Sequence, residues 1–252
     1  MTHWQQRLRA AGIHLGASLA MAALAALLVF GLWYPYPYRD ISGGRELFLL
    51  VVGVDVIIGP LITLAVFDRR KPWSELRRDL AVVVLLQLAA LAYGVWSVAV
   101  ARPVHLVFEL DRLRVVHAVD IPEELLGREP AGVQAMPWRG PTLLAVRPFR
   151  NLDENLEATM QALKGVQIGA RPELWEPYPA ARPRVLQVAR PVSQLKARFP
   201  ARSADIDAAL KAAGRNPDTT AYLPMVGRKA FWTAFVDPVT ADVVGFLPLD
   251  PF

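Results

Sequence analysis

Three long apolar stretches occupy most of the first hundred residues, at about 10–33, 47–67 and 80–100, with charged and aromatic residues gathered between them. A helical run of about twenty residues, rising roughly 1.5 Å per residue, matches a hydrocarbon core of about 30 Å. The pattern predicts three transmembrane helices within residues 1–101. After Ala101 no stretch is long enough to span, and the periodicity changes. Residues 104–110 and 113–119 read as short strands joined at Asp111 and Arg112, and 142–146 as a third strand. Residues 151–165, NLDENLEATMQALKG, read as an amphipathic helix. Asn151 suits the N-cap, acids fill the first turn, Leu156, Met160 and Leu163 share one face, and Gly165 ends it. Shorter helices are predicted at 192–199 and 205–213, stopped by Pro200 and Gly214. Strands return at 230–236 and 243–247 around a turn with Pro238 at its second position. The proline-rich stretch 173–190 reads as an extended surface loop. The fold class expected is a membrane protein with three N-terminal transmembrane α-helices followed by an α+β exported domain, residues 102–252, containing antiparallel strands.

Basic residues orient this arrangement. Arg7 and Arg9 precede the first run, and Arg69, Arg70, Lys71, Arg77 and Arg78 lie between the second and third, whereas 34–46 carries only Arg39 and Arg45. The positive-inside rule then puts the N-terminus and second loop in the cytoplasm and residues 102–252 outside. Trp33, Tyr34, Tyr36 and Tyr38 are expected at the outer headgroup level, where amphipathic rings concentrate. The first run is too long for a cleaved leader and ends in Trp-Tyr-Pro-Tyr-Pro rather than small residues, so it reads as a permanent span in the lipid bilayer.

Composition narrows the chemistry. The sequence pI near 9.7 owes much to topology-setting residues beside the spans. Cations in the exported part are scattered among acids, which argues against nucleic acid as a partner. The chain has no cysteine, so the domain must hold by packing alone, and thiol chemistry and thiolate metal sites are excluded. No GxSxG, HExxH or Walker-type loop occurs, so no catalytic, metal or cofactor-binding residue is assigned and no cofactor is expected. His105 and His117 lack a third ligand nearby and read as strand histidines. The pairs Glu123, Glu124 and Asp153, Glu154 sit at helix starts, where acids meet the dipole.

Asp55 is the most informative polar residue, because a carboxylate within a span is costly unless partnered. It lies in GVDVIIGP, where glycines permit close helix approach and Pro60 removes a backbone donor. His14, Ser18, Gln87 and Tyr93 are the available partners. Counted from the cytoplasmic ends of the predicted spans, His14 lies roughly 6 Å in, Gln87 about 10 Å and Asp55 about 18 Å. His14 and Gln87 are then within reach of each other, whereas Asp55 needs tilt, a water or a long side chain. His14, Asp55, Pro60 and Gln87 together form the candidate intramembrane polar site.

GIHL in the first span, WYPYPY after it, GVDVIIGPLITL in the second and DLAVVVLLQLAALAYGV in the third resemble the type IV pilin accessory proteins of the TfpX/TfpZ kind. The likeness continues through ARPVHLVFELDRLRVVHAVDI and the tail GRKAFWTAFVDPVTADVVGFLPLDPF, and is loose between about 127 and 220. It implies an inner-membrane assembly factor or chaperone whose partner is one major type IV pilin, with the pilus inner-membrane machinery as a further partner. Pilins of this kind wait in the membrane with one apolar helix and an outer head. Asp55 then has three readings: an internal hydrogen-bonded lock, a contact for polar groups on the pilin helix, or an ion pathway. Asp111, Arg112, Trp175, Tyr178 and Phe246 are the candidate partner-contact residues of the exported domain. A membrane-tethered sensor or regulator, and more remotely a membrane enzyme or transporter, are the rival classes.

Overall fold

The computed structural model describes residues 2–252. It divides into two units, one made of residues 1–33 and 44–101 and the other of 34–43 and 102–252.

The first unit holds three helices long and apolar enough to cross a membrane, α1 (His3–Trp33), α2 (Gly44–Val66) and α3 (Trp73–Val100). Thr2 and Gln5 form a reciprocal capping box that opens α1. All three helices extend beyond the predicted runs because their ends continue through polar residues that still favour helix. The largest differences are at α1 and α3, which begin at His3 and Trp73 rather than near residues 10 and 80, each about two turns earlier. At the cytoplasmic end predicted from charge, Asp68 takes a hydrogen bond from Arg70, contacts His3 at 3.0 Å and lies 3.5 Å from Arg7, so the start of α1 and the loop after α2 share one end of the unit. The hydrogen bonds from Arg70, with one from His3, hold the Asp68 carboxyl well below the usual carboxylate range.

The second unit is α+β. Strands β1 (Pro103–Glu109), β2 (Arg112–His117), β3 (Thr142–Val146), β4 (Trp175–Pro177), β5 (Arg190–Pro191), β6 (Ala221–Val226), β7 (Phe231–Val236) and β8 (Val243–Leu247) form one sheet in the order β4-β3-β1-β2-β6-β7-β8, with β5 beside β6. The predicted β1–β2 hairpin is present, turning at Leu110 in the left-handed region. The sheet is mixed, because β1 pairs parallel with β3 and β2 parallel with β6. Helices α4 (Leu152–Leu163), α5 (Tyr178–Val188), α6 (Val192–Arg198) and α7 (Ser203–Ala212) surround it.

Strand alternation explains why both faces are apolar. On β6 and β7, Leu223 and Ala234 join one cluster with Tyr178, Ala181 and Val185 of α5, while Tyr222 and Phe235 join another with Leu195 of α6 and Ile206 and Leu210 of α7. A third cluster packs Val104, Val107 and Val116 against Ala158, Leu174 and Trp175.

Two expectations are corrected here. The stretch 173–190 is not an extended loop but forms β4 and α5. Pro179 falls in the first turn, where a missing N–H costs nothing, and the burial of Tyr178, Ala181 and Val185 offsets the interior Pro183. Likewise Tyr34 and Tyr38 do not present free rings to headgroups but are buried in the second unit, where Tyr38 meets Phe246 edge-on at 6.3 Å. Tyr36 stays exposed beside Trp232. Ile41, in the helical turn Tyr38–Ile41, is fully buried and its carbonyl accepts from the Lys229 amide. The connection between α1 and α2 is therefore part of the core of the α+β unit.

Candidate functional site

The polar site in the membrane-spanning unit is built on a fault in α2. Residues Val54–Ile58 form a π-helical turn, in which each carbonyl looks for an amide five residues on. For Asp55 that residue is Pro60, which has no amide hydrogen. Gln87 of α3 supplies the missing donor. Its side-chain amide reaches both the Asp55 backbone carbonyl and the Asp55 Oδ1, each at 3.2 Å. This approach requires Gly59, since a Cβ there would lie 1.7 Å from the Gln87 nitrogen. A backbone carbonyl left without a partner in hydrocarbon costs several kcal/mol, so the Gln87 contact repairs the turn that carries Asp55.

His14 contacts Thr63 Oγ1 at 2.5 Å through Nδ1, binding α1 to α2. The expected neighbour relation is thereby reversed, for Gln87 meets Asp55 and His14 meets a residue the sequence reading did not name. The physical reason is that α1 and α3 both begin about seven residues earlier than predicted, which carries His14 and Gln87 each about 10 Å further along their helices than counted from residues 10 and 80 and brings Gln87 near the depth of Asp55. Thr63, one turn beyond Pro60 in GPLITL, was the available signal. Tyr93 is exposed and stacks near Trp96, and Ser18 is buried.

Asp55 is half-buried and lines a cavity of about 280 Å³. Ile13, His14, Ala17, Ser18 and Met21 of α1 form one wall, and Val84, Gln87, Leu88 and Leu91 of α3 the other. The cleft thus opens between the first and third spans, with the carboxylate of the second on its lining. Among the described residues Gln87 is the one side chain that donates to the Asp55 carboxylate, although an ionised carboxylate accepts about four hydrogen bonds. The site has spare acceptor capacity inside an otherwise apolar cleft.

The α+β unit arranges its own candidates differently. Asp111 and Arg112 pair at 2.7 Å beside the hairpin turn, and the Arg112 guanidinium stacks over Phe252. Trp175 and Tyr178 are only 2% and 3% exposed, so the structure leaves them no surface to offer a partner. Their polar tips are committed too, the Trp175 indole to Gly169 O at 2.8 Å and the Tyr178 hydroxyl to Ala241 O at 2.6 Å. Phe246 is partly buried against Tyr38.

The strand histidines are also structural. His105 contacts Thr142 Oγ1 at 2.6 Å and Ala135 O at 3.0 Å, and burial, only partly offset by the Ala135 carbonyl, pushes its pKa down to about 4. His117 is held by Asp120 at 3.0 Å. Burial raises the Asp120 carboxyl, but the His117 hydrogen bonds outweigh it and leave the pKa at about 2. Sequence reasoning missed Glu109, a buried carboxylate that binds Arg114 and accepts the Gly169 amide at 2.8 Å. Among the described residues no group of three or more His, Cys, Asp or Glu side chains is placed to hold a metal ion.

Three apolar helices with an intramembrane carboxylate, joined to a folded α+β domain, define a polytopic membrane protein with a substantial domain outside the bilayer. The family model for the fimbrial assembly protein FimB matches residues 2–43, which is α1 together with the loop that enters the domain core. Fimbrial assembly proteins of Dichelobacter nodosus are similar over most of the chain. The serogroup I protein is 36% identical over 228 residues, covering 90% of this chain and 89% of that one. The serogroup E1 protein is 34% identical over the same shares, and the serogroups C1 and C2 protein 44% identical over 110 residues, 44% of this chain and 84% of that one. The chain belongs to the fimbrial assembly protein family, a type IV pilin accessory family, in agreement with the resemblance drawn from the sequence. No solved structure matches it.

Proposed function

We propose that this protein is an inner-membrane assembly factor that binds one major type IV pilin and holds it ready for insertion into the pilus. Its N-terminus lies in the cytoplasm and residues 102–252 in the periplasm, the arrangement favoured by the basic residues around Asp68 and in the loop before α3. The reading rests on family membership for the assembly role and, for the partner, on one observation: the cleft between α1 and α3 with Asp55 on its lining. At about 280 Å³ the cleft accepts the side chains of one face of a further helix rather than a whole helix. In lipid, apolar surfaces gain little by meeting each other, so recognition needs close packing and a polar contact. Asp55 supplies the contact, because a donor on the pilin helix completes a carboxylate that Gln87 alone satisfies incompletely. The exported domain engages the pilin head.

The test is photocrosslinking in native membranes with the reactive residue at Ser18 or Leu88, both on the cleft wall. Capture of the major pilin is the expected result, and capture of pilus-machinery proteins alone overturns it in favour of a regulator. Asp55→Asn keeps shape and polarity while removing charge. If the pilin contact requires an ionised acceptor, surface piliation falls while the protein accumulates normally, and wild-type piliation excludes that requirement.

A further inference from the structure

Helix α4 reads in sequence as amphipathic, with Leu156, Met160 and Leu163 on one face, and the structure turns that face outward. Its fully buried residue is Ala158, while Leu152, Leu156, Met160 and Leu163 are 84%, 62%, 48% and 78% exposed. Spacings of four, four and three residues put these side chains in one stripe along the outer face. A contiguous apolar stripe on an aqueous domain marks an interaction surface.

We propose that this stripe is a self-association surface at which α4 of two copies of this chain pair antiparallel about a two-fold axis. A two-fold passing between Leu156 and Met160 sets Leu156 against the Met160 of the second copy and Leu152 against its Leu163. Every contact along the stripe is then apolar on both sides. The charges make the same choice. At about 100° per residue, Asp153 and Lys164 lie within roughly 20° of each other on one flank of the stripe, at opposite ends of the helix. An antiparallel two-fold brings like flanks together, so each Lys164 meets the Asp153 of the other copy. A parallel two-fold brings opposite flanks together instead, so Asp153 and Lys164 of each copy would face the uncharged flank of Asn155 and Thr159 and gain no partner.

These two charges are also the uncommitted ones. Glu154 is bound by Arg147 and Glu157 by Arg171, whereas among the described residues neither Asp153 nor Lys164 takes part in an ion pair. The area of one helix stripe is well below the roughly 1,600 Å² of a standard stable interface. Anchoring both copies in one membrane supplies the local concentration that makes so small a contact effective.

The chain has no cysteine, so introduced thiols are unique. Two differently tagged full-length copies, one carrying Leu156→Cys and one Met160→Cys, are co-expressed and oxidised in native membranes. A disulfide-linked pair is expected, and no linkage when Leu156→Cys is combined with Lys211→Cys on α7. Asp153→Lys or Lys164→Asp alone, added to both copies, is expected to reduce the linked fraction roughly tenfold, and the double exchange to restore it. Protease resistance of the domain confirms that each variant is folded. Equal linkage at Lys211, no linkage at all, failure of the double exchange to restore it, or linkage that disappears when the pilin is deleted each overturns the proposal.

Discussion

The two units of this protein solve opposite problems with the same residue types. In α1 to α3 the apolar side chains face outward, and what specifies the packing is a handful of polar contacts, His14 with Thr63 and Gln87 with Asp55. In the α+β unit the apolar side chains face inward from both sides of one sheet, and the polar groups that remain inside, such as Glu109 and His105, are each tied to named partners. The lesson is that burial stabilises where water is the alternative, whereas in lipid, where a leucine gains nothing by leaving its surroundings, polar satisfaction and close backbone approach decide the geometry. Glycine serves both. Gly59 admits the Gln87 amide in the membrane unit, and Gly227 admits the Ile41 side chain in the domain, where a Cβ would stand 2.4 Å from Ile41 Cγ1.

The sharpest way to break the comparison is at Ile41, which lies between two spans in sequence but in the domain core in space. Ile41→Ala is expected to destabilise the α+β domain by about 3 kcal/mol, the usual cost of truncating a buried aliphatic side chain. Thermal unfolding of the full chain in detergent, read by protease sensitivity of residues 102–252, checks this, and an unchanged domain melt contradicts the assignment of the loop to the core. Gly227→Val should act in the same direction through the same contact.

Next in size is the response of the domain to mild acid, between about pH 6.5 and 4. His105 has a folded pKa of about 4, below its unfolded value of about 6.5. Folding therefore favours the neutral ring, and the corresponding stability is complete above about pH 6.5 and lost as pH falls towards 4. The expected loss is roughly 3 kcal/mol across that window. His105→Gln should flatten the profile, while an equally steep profile in that variant would assign the acid sensitivity elsewhere.

A smaller effect is expected in the membrane unit. Gly59→Ala drives the Gln87 amide away from Asp55 and should weaken the α2–α3 contact by about 1–2 kcal/mol, comparable to an interhelical hydrogen bond in lipid. Crosslinking between α2 and α3 should fall while the domain melt stays in place, and a shifted domain melt would show that the two units do not respond separately. Smallest of all, Asp111→Ala should change domain stability by less than about 0.5 kcal/mol, because its pairing with Arg112 is a half-exposed contact between neighbours.

How much of this was legible varies by element for physical reasons. The β1–β2 hairpin, β3, β7 and β8 follow from short apolar runs punctuated by turn residues, and α4 from its cap and terminal glycine. The stretch 173–190 was misread because proline content masks a helix whose first turn tolerates proline. For the site, Asp55, Pro60 and Gln87 were named from the sequence, but their pairing was not, since it depends on where α3 begins and on a π-helical turn that displaces the register.

The sequence by itself determined the three long apolar helices and the α+β character of the chain beyond them, because hydropathy run length and local periodicity are properties of consecutive residues. Only the tertiary structure decided that Tyr34, Tyr38 and Ile41 belong to the α+β unit, that Trp175 and Tyr178 are core, that Gln87 rather than His14 reaches Asp55, and that α4 shows its leucines outward. Periodicity states that a helix has an apolar face. Which way that face turns depends on what distant segments bring to meet it, and for α4 the small side chain of Ala158 is the one that fits the sheet.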